Sequence, residues 1–456
     1  VTRVVSTSPQ RPADVVVELP AATPSEVILT AAKAYKAQRD WAAAAPGIRA
    51  AALHGIAQSL ADNAADLAAL IVREVGKPAG EAAGEVGRAI ALLRYYAQQA
   101  FDPIGETYAV GGGLGYTARK PRGLAGLITP WNFPLAIPVW KSAPALAFGN
   151  AVVIKPAPDA TACALRLAEL AAPHLPDGLL TVLPGGAATG SALVSCVDAV
   201  SFTGSTAVGR AVAVAAAERG IPAQCEMGGL SATIVLPDAD HDRAATDIAY
   251  AAMGFAGQKC TATKRIIAVG DSRPLAEALA AKVSALGLGD PAESGVVVGP
   301  LITAQARDRV LDAAGQARAA GGEVVAFGVV PSADGWYAAP AVIARLDADA
   351  ALNREEVFGP ICTLAEVSDV DTALELANAT DYGLVTSVYT ADLDAALAAA
   401  QRCETGMVKV NAPTAGVDFH LPFGGDKNSG YGGKEQGKAA AAFYTSARTV
   451  QIGAAK

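Results

Sequence analysis

Between residues 24 and 101 apolar positions recur at helical spacing in an Ala-rich stretch where Pro and Gly are sparse, and the pattern predicts helix. Gly111-Gly-Gly113 interrupts it. No helix is expected after these glycines and the third Gly of a dinucleotide fingerprint is missing, so they read as a hairpin turn. After residue 122 the texture changes. Short continuous apolar runs at 124–128, 151–155, 180–183 and 199–202 alternate with helical stretches near 136–148, 160–172 and 206–219. Such runs suit parallel strands covered on both faces. A second alternating block has strand-like runs at 232–236, 265–269, 385–389 and 407–410, with helical runs near 240–253, 273–286, 303–320 and 391–402. No internal repeat is visible. Two α/β domains in series are predicted, with ligand sites in the turns beyond the carboxyl ends of their strands.

Composition narrows the picture. The 456 residues are 52% hydrophobic and carry a net charge of −8, which supports a large core and argues against a nucleic-acid partner. Six dispersed cysteines show no zinc spacing, so no metal site is expected and most read as small core residues. There is no apolar run of about 18 residues. The residues after Val1 are polar rather than leader-like, and a cytoplasmic location without membrane contact is expected.

The candidate chemistry lies in strand-end turns. Thr129-Pro-Trp-Asn-Phe-Pro134 holds Asn132 between two prolines, where an amide can serve as an oxyanion donor or simply bond its own turn. Lys155, in Ile-Lys-Pro-Ala-Pro158, is placed either to meet a cofactor ribose or phosphate or to be solvated. Phe202-Thr-Gly-Ser-Thr-Ala-Val-Gly209 runs from strand through turn to helix, where free N–H groups suit a phosphate. Gln224-Cys-Glu-Met-Gly-Gly229 offers Glu226 as a base or as an ordinary strand-end carboxylate. In Phe255-Ala-Gly-Gln-Lys-Cys260, the cysteine stands among Gly, Gln and Lys, and an adjacent Lys259 would favour its thiolate. Glu355-Glu-Val-Phe-Gly-Pro360 and Pro422-Phe-Gly-Gly-Asp-Lys-Asn-Ser-Gly430 complete the set.

In this order the seven motifs resemble those of the aldehyde dehydrogenase superfamily over roughly residues 25–456, and the 34-residue separation of Glu226 and Cys260 fits as well. The resemblance implies an α/β fold of two doubly wound domains, with residues 1–105 and 123–228 forming a Rossmann-like cofactor-binding domain. Residues 229–430 would form the catalytic domain, and 106–122 with 440–456 a hairpin-and-tail oligomerisation element. It implies Cys260 as nucleophile, Glu226 as general base, and Asn132 with the Cys260 N–H as oxyanion hole. Lys141 and Glu435 match proton-relay positions. Lys155 and Glu356 would hold the cofactor ribose groups, Gly204, Ser205 and Gly209 the pyrophosphate, and Trp131 and Phe358 the nicotinamide side. The implied reaction is NAD- or NADP-dependent oxidation of an aldehyde to an acid through a thiohemiacetal and a thioester, in a homodimer or homotetramer. Retention of Cys260 and Glu226 argues against a catalytically silent binding protein, and Glu226 argues against acyl transfer to coenzyme A.

Three departures carry expectations of their own. The Ile-Asn-Gly-x-Trp pattern of the family's opening hairpin is absent, and that hairpin is expected to be missing. Leu230-Ser231 follow the glycines where the family commonly has Lys and Asn. Pro158 stands where many NAD-preferring members have a Glu that repels a 2′-phosphate, so NADP acceptance is expected. Finally, Val410-Asn-Ala-Pro-Thr-Ala-Gly-Val-Asp-Phe-His420 is similar to the corresponding loop of α-ketoglutaric semialdehyde dehydrogenases, which implies a short aldehyde bearing a carboxylate; the alternative is a broad-specificity enzyme.

Overall fold

The computed structural model describes residues 2–102, 105–330 and 334–453. The helical stretch resolves into α1 (Pro24–Ala43), α2 (Pro46–Asp62), α3 (Ala64–Val75) and α4 (Ala79–Gln99). Local chemistry sets these limits. Thr23 and Glu26 form a reciprocal capping box at the start of α1, and Pro46 and Pro78 stand where their missing N–H costs a helix least.

A six-stranded sheet follows. Its parallel strands are β5 (Leu124–Thr129), β6 (Ala151–Pro156), β7 (Leu180–Val182), β8 (Ala199–Thr203) and β9 (Ala223–Glu226). The connecting helices are α5 (Ala136–Ala147), α6 (Thr161–Ala171), α7 (Ala187–Val194) and α8 (Thr206–Glu218). Every residue of β5 and β6 is buried, which is why both read as unbroken apolar runs. Across the sheet the order is β21-β9-β8-β5-β6-β7, where β21 (Gly430–Tyr431) returns antiparallel to β9. The direction of strand addition reverses between β5 and β8, which opens a crevice at their carboxyl ends.

The second sheet has seven strands in the order β14-β15-β16-β11-β10-β18-β19. Four of them, β10 (Ala232–Val235), β11 (Arg265–Val269), β18 (Val385–Tyr389) and β19 (Met407–Val410), lie at the predicted runs. The helices α9 (His241–Met253), α10 (Arg273–Ser284), α11 (Ala304–Ala319) and α14 (Leu393–Arg402) also lie where periodicity placed them. The strands β14 (Glu323–Phe327), β15 (Ala341–Ala344) and β16 (Ile361–Val367), with α12 (Ala351–Arg354) and α13 (Val370–Asn378), were not predicted. Two small ladders pair β12 (Gly287–Leu288) with β13 (Val296–Val298) and β17 (Tyr382–Gly383) with β20 (Asp426–Lys427).

The glycine turn at 111–113 does join a hairpin, β3 (Thr107–Val110) with β4 (Gly113–Pro121), and β22 (Thr445–Gly453) pairs along the whole of β4. The short α15 (Ala439–Tyr444) precedes β22. Of the expected terminal and oligomerisation segments, residues 1, 103–104 and 454–456 lie outside the described residues. One expectation fails. The chain does open with an antiparallel hairpin, β1 (Arg3–Ser8) on β2 (Arg11–Pro20). Its inward face carries Val4, Ser6 and Ser8, all buried, and two serines in three inward positions hide the alternation that marks a strand.

Candidate active site

The turns after β5 and β8 meet at the crevice, and a cleft of about 850 Å³ opens there. Trp131, Asn132, Gly204, Ser205, Cys260, Glu356 and Phe358 all line it, drawn from both sheets. The N–H groups of the first turn of α8 have no helical acceptor, and Ser205 at the N-cap makes no side-chain capping bond. The Thr203 hydroxyl, at the end of β8, is buried without a partner. An orphaned hydroxyl beside a bare helix N-terminus fits an anionic ligand such as a dinucleotide pyrophosphate.

Cys260 owes its position to an unusual backbone. Phe255, Ala256 and Gly257 adopt left-handed φ of 54°, 52° and 64° in succession at the end of α9. At Gly257 a Cβ would lie 2.2 Å from the Gly359 carbonyl, so only glycine fits there. Gln258, fully buried, pins the turn: its amide donates to the Phe255 and Pro300 carbonyls at 3.2 and 3.1 Å, and its side-chain oxygen accepts from Ile302 at 2.9 Å. The Gln258 carbonyl in turn accepts from Asn132 Nδ2 at 3.0 Å. That bond uses one of the two amide hydrogens and leaves the other for the cleft.

The thiol itself is not activated in this state. Burial, then the Glu356 and Glu226 carboxylates, push Cys260 up to about 12. Lys259 does not favour the thiolate, contrary to expectation. Its ammonium is 2.8 Å from Glu81 on α4 and lies over the Tyr250 ring, so its charge is spent elsewhere.

Glu226, the last residue of β9, is buried and is not among the residues that line the cleft. Its carboxylate accepts from the Gly425 N–H at 3.3 Å. Gly424 has φ +154°, and a Cβ there would come within 2.6 Å of the carboxylate, which explains the paired glycines of the Pro-Phe-Gly-Gly turn. Burial and the Glu435 carboxylate hold Glu226 well above the usual carboxylate range, against the pull of Lys141, the Gly425 N–H and Lys434. Behind it lies a buried polar network. Lys141 is paired with Glu435 and donates to Ser201 Oγ at 2.7 Å; Ser201 donates to Glu435 at 2.9 Å; Trp140 Nε1 donates to the other Glu435 oxygen at 2.7 Å. Lys141 and Glu435 are therefore together, one layer behind the cleft wall that Trp140 helps form.

The remaining predicted residues fall in three places. Glu356 packs so closely over Gly228 that a Cβ there would sit 1.8 Å from its carboxylate, and it accepts from the Gly229 N–H at 3.2 Å. Burial raises it to about 7. Phe358, left-handed at φ 54°, sets its ring edge-on to Trp131 at 5.8 Å. Lys155, near the end of β6, and Pro158, in the turn after it, do not line the cleft. The Lys155 ammonium donates to the carbonyls of Pro156 (2.6 Å) and Gly185 (3.1 Å), and burial lowers it to about 8. Gly209 lies beneath the cleft floor, where a Cβ would strike Met227 Sδ at 2.5 Å.

Lys264 was missed by the sequence reading. It is buried and donates to the Gly257 and Gly359 carbonyls at 2.9 and 2.8 Å, tying the Cys260 turn to the Glu356–Phe358 loop. A lysine four residues beyond the cysteine carries no signal in a motif that ends at Cys260. No group of His, Cys, Asp and Glu that could hold a metal ion occurs among the described residues.

Known proteins resemble this chain in sequence and fold. A profile of the aldehyde dehydrogenase family matches residues 2–450. An α-ketoglutaric semialdehyde dehydrogenase of Bacillus subtilis is 37% identical over 80% of this chain and 77% of its own length. An α-ketoglutarate semialdehyde dehydrogenase of Haloferax volcanii is 40% identical over 80% and 78%. The crystal structure of an NAD-dependent aldehyde dehydrogenase from Sinorhizobium meliloti superposes with a TM-score of 0.95 at 33% identity, over 99% of this chain and 92% of that one. With a profile that spans nearly the whole chain and a matching fold around a cysteine cleft, the chain belongs to the aldehyde dehydrogenase family.

Proposed function

We propose that the protein oxidises a short, carboxylate-bearing semialdehyde of the α-ketoglutaric semialdehyde type to the corresponding acid, with NADP or NAD as hydride acceptor. The convergence of Cys260, Asn132 and Glu356 on one cleft at the strand-order reversal carries the reading. The similarity to the two semialdehyde dehydrogenases supports the substrate class.

Each residue has a role that its surroundings allow. Cys260 Sγ, once deprotonated, adds to the aldehyde carbon, and the oxygen takes the negative charge as a thiohemiacetal. The free Asn132 N–H and the Cys260 backbone N–H stabilise that charge where it forms. A nicotinamide bound in the cleft would supply hydride acceptance, the chemistry needed to take the thiohemiacetal at Cys260 to a thioester. Glu226, turned from Gly425 towards the cleft and ionised, then takes a proton from water; hydroxide adds to the thioester carbon, the carbon–sulfur bond breaks with Cys260 leaving as thiolate, and the acid is released. The Lys141–Glu435 pair behind Glu226 is placed to pass that proton inward. Glu356, beside Trp131 and Phe358, would hold the nicotinamide-side ribose, Lys155 would hold the adenosine ribose, and Gly204, Ser205 and Gly209 would shape the pyrophosphate site. Pro158 offers no carboxylate to repel a 2′-phosphate, which supports acceptance of NADP.

Assembly as a homodimer or homotetramer is part of the proposal. The β22-β4-β3 sheet leaves two open edges and exposes Tyr108, Leu114 and Ile452. A cytoplasmic location is proposed too; no described helix is long and apolar enough to cross a membrane. The functional test is a panel of aldehydes with and without a distal carboxylate, run with each cofactor. A higher kcat/KM for the carboxylate-bearing members, with the acid as product whether or not coenzyme A is present, is expected. No turnover of any aldehyde overturns the reading.

A further inference from the structure

Along α4, Glu81, Gly84, Glu85 and Arg88 fall at helical spacing and all line the cleft that holds Cys260. Two of the three charges on this face are already matched. Glu81 pairs with Lys259. Glu85 pairs with the buried Lys77 and accepts from the Leu135 and Ala136 N–H groups at 2.9 Å each. Arg88 is different. It is half-buried, and among the described residues it makes no hydrogen bond and no ion pair. Five N–H donors on a permanently charged, partly desolvated group are left without acceptors.

The surroundings say which part of the cleft Arg88 serves. Burial lowers Arg88, opposed by the Asp418 and Glu85 carboxylates; burial lowers Lys409 too, opposed by Asp418 and aided by Arg88. Two turns further along α4, Tyr95 meets Phe419 at 5.7 Å. Pro413, Ala415, Gly416 and Val417 line the same cleft, and Lys409 holds that loop by donating to the Ala415 and Gly416 carbonyls. Arg88 therefore belongs to the end of the cleft closed by the 411–420 loop, and not to the turn after β8. With Glu81 matched by Lys259 and Glu85 by Lys77, Arg88 is the charge on this face of α4 that no described residue matches, in a chain whose net charge is −8.

We infer that Arg88 is the anchor for the distal carboxylate of the substrate, holding it by a bidentate, charge-assisted pair while the aldehyde carbon lies at Cys260. This rests on the semialdehyde reading above and adds the residue that enforces it. An arginine in this position selects a substrate by charge, which a purely apolar cleft cannot do.

The test compares 4-oxobutanoate with butanal and 5-oxopentanoate with pentanal, in the full-length enzyme and in Arg88→Met and Arg88→Lys. The readout is the ratio of kcat/KM for each acid-aldehyde to that of its uncharged partner. In the wild type the ratio is expected to exceed one. Arg88→Met should lower it by about ten- to a hundredfold, the range for loss of a charge-assisted hydrogen bond, mostly through KM; Arg88→Lys should recover part of it. A wild-type ratio of one or less overturns the semialdehyde reading and this anchor together. A wild-type preference that survives in Arg88→Met overturns the anchor alone. A loss that appears instead in the KM for the dinucleotide also overturns it, by placing Arg88 on the cofactor.

Discussion

The proposed acceptance of NADP predicts that one substitution, at Pro158, shifts cofactor choice towards NAD. Pro158 begins the short turn Pro158–Ala160 three residues after Lys155, and it is half-buried. Pro158→Glu would place a carboxylate where the adenosine ribose is proposed to lie. The 2′-phosphate of NADP and such a carboxylate would stand several ångströms apart at a partly exposed site. Unit charges 4 Å apart interact by about 1 kcal/mol in water and about 4 kcal/mol near a protein surface, so ~2 kcal/mol of repulsion is a fair figure, or roughly thirtyfold against NADP. A hydrogen bond from the new carboxylate to the ribose hydroxyls would add about 1 kcal/mol in favour of NAD, bringing the combined shift to the order of a hundredfold. Lys155 sets a second signature. Burial lowers it to about 8, so its charge is present at pH 7 and lost as pH rises through 8. Attraction for the 2′-phosphate should fade with it, and the NADP-to-NAD ratio of the wild type should fall between pH 7 and pH 9. The assay is kcat/KM for both cofactors at one saturating aldehyde concentration, at each pH. A wild-type preference for NAD of a hundredfold or more would refute the reasoning and direct attention to Asp159, the carboxylate next in the chain.

Further consequences concern charge and assembly. Because burial, Glu356 and Glu226 hold the Cys260 thiol up to about 12, alkylation of the cofactor-free enzyme by iodoacetamide should speed up about tenfold per pH unit from pH 7 to 9 without levelling off; a plateau by pH 8 would show a stabilised thiolate. Glu356 titrates at about 7, so cofactor affinity, followed by the fluorescence of Trp131, should weaken as pH falls through 7. Lys264→Met removes the cation that opposes this shift and should move the weakening to higher pH, whereas a dissociation constant that is flat from pH 6 to 9 in both proteins would exclude Glu356 from ribose binding. Light scattering should report a dimer or tetramer; a stable, active monomer would contradict the role given to the β22-β4-β3 sheet.

The parts of this molecule that could be read from the chain are those where one physical requirement dominates. Strands buried on both faces favour apolar residues, so β5, β6, β8, β10, β11 and β18 were visible as runs. Elements with mixed requirements were not. The edge strand β14 has Glu323 and Phe327 exposed, and the β1 face buries Ser6 and Ser8, so neither shows the expected alternation. At the site, Cys260, Asn132, Glu226 and Glu356 announced themselves through the glycines and prolines their turns need. Charges did not. Lys259 looked like a thiolate partner because sequence shows neighbours along the chain, while Glu81, 178 residues away, takes its charge. Lys264 acts through the Gly257 and Gly359 carbonyls, and Arg88 lines the cleft from α4; no local pattern marks either.

The proposed chemistry stands on a thioester at Cys260 that only Glu226 clears. Glu226→Gln keeps the shape of the side chain and removes the base, so acylation should proceed and hydrolysis should stall. Mixed with 5-oxopentanoate and NADP, this variant should release one burst of NADPH about equal to the enzyme sites. Quenched in acid, its intact mass should be raised by one acyl group, and peptide mapping should place that group on Cys260 and on none of Cys163, Cys196, Cys225, Cys362 or Cys403. An acyl group on another cysteine, or a full burst with no covalent adduct, would contradict the mechanism.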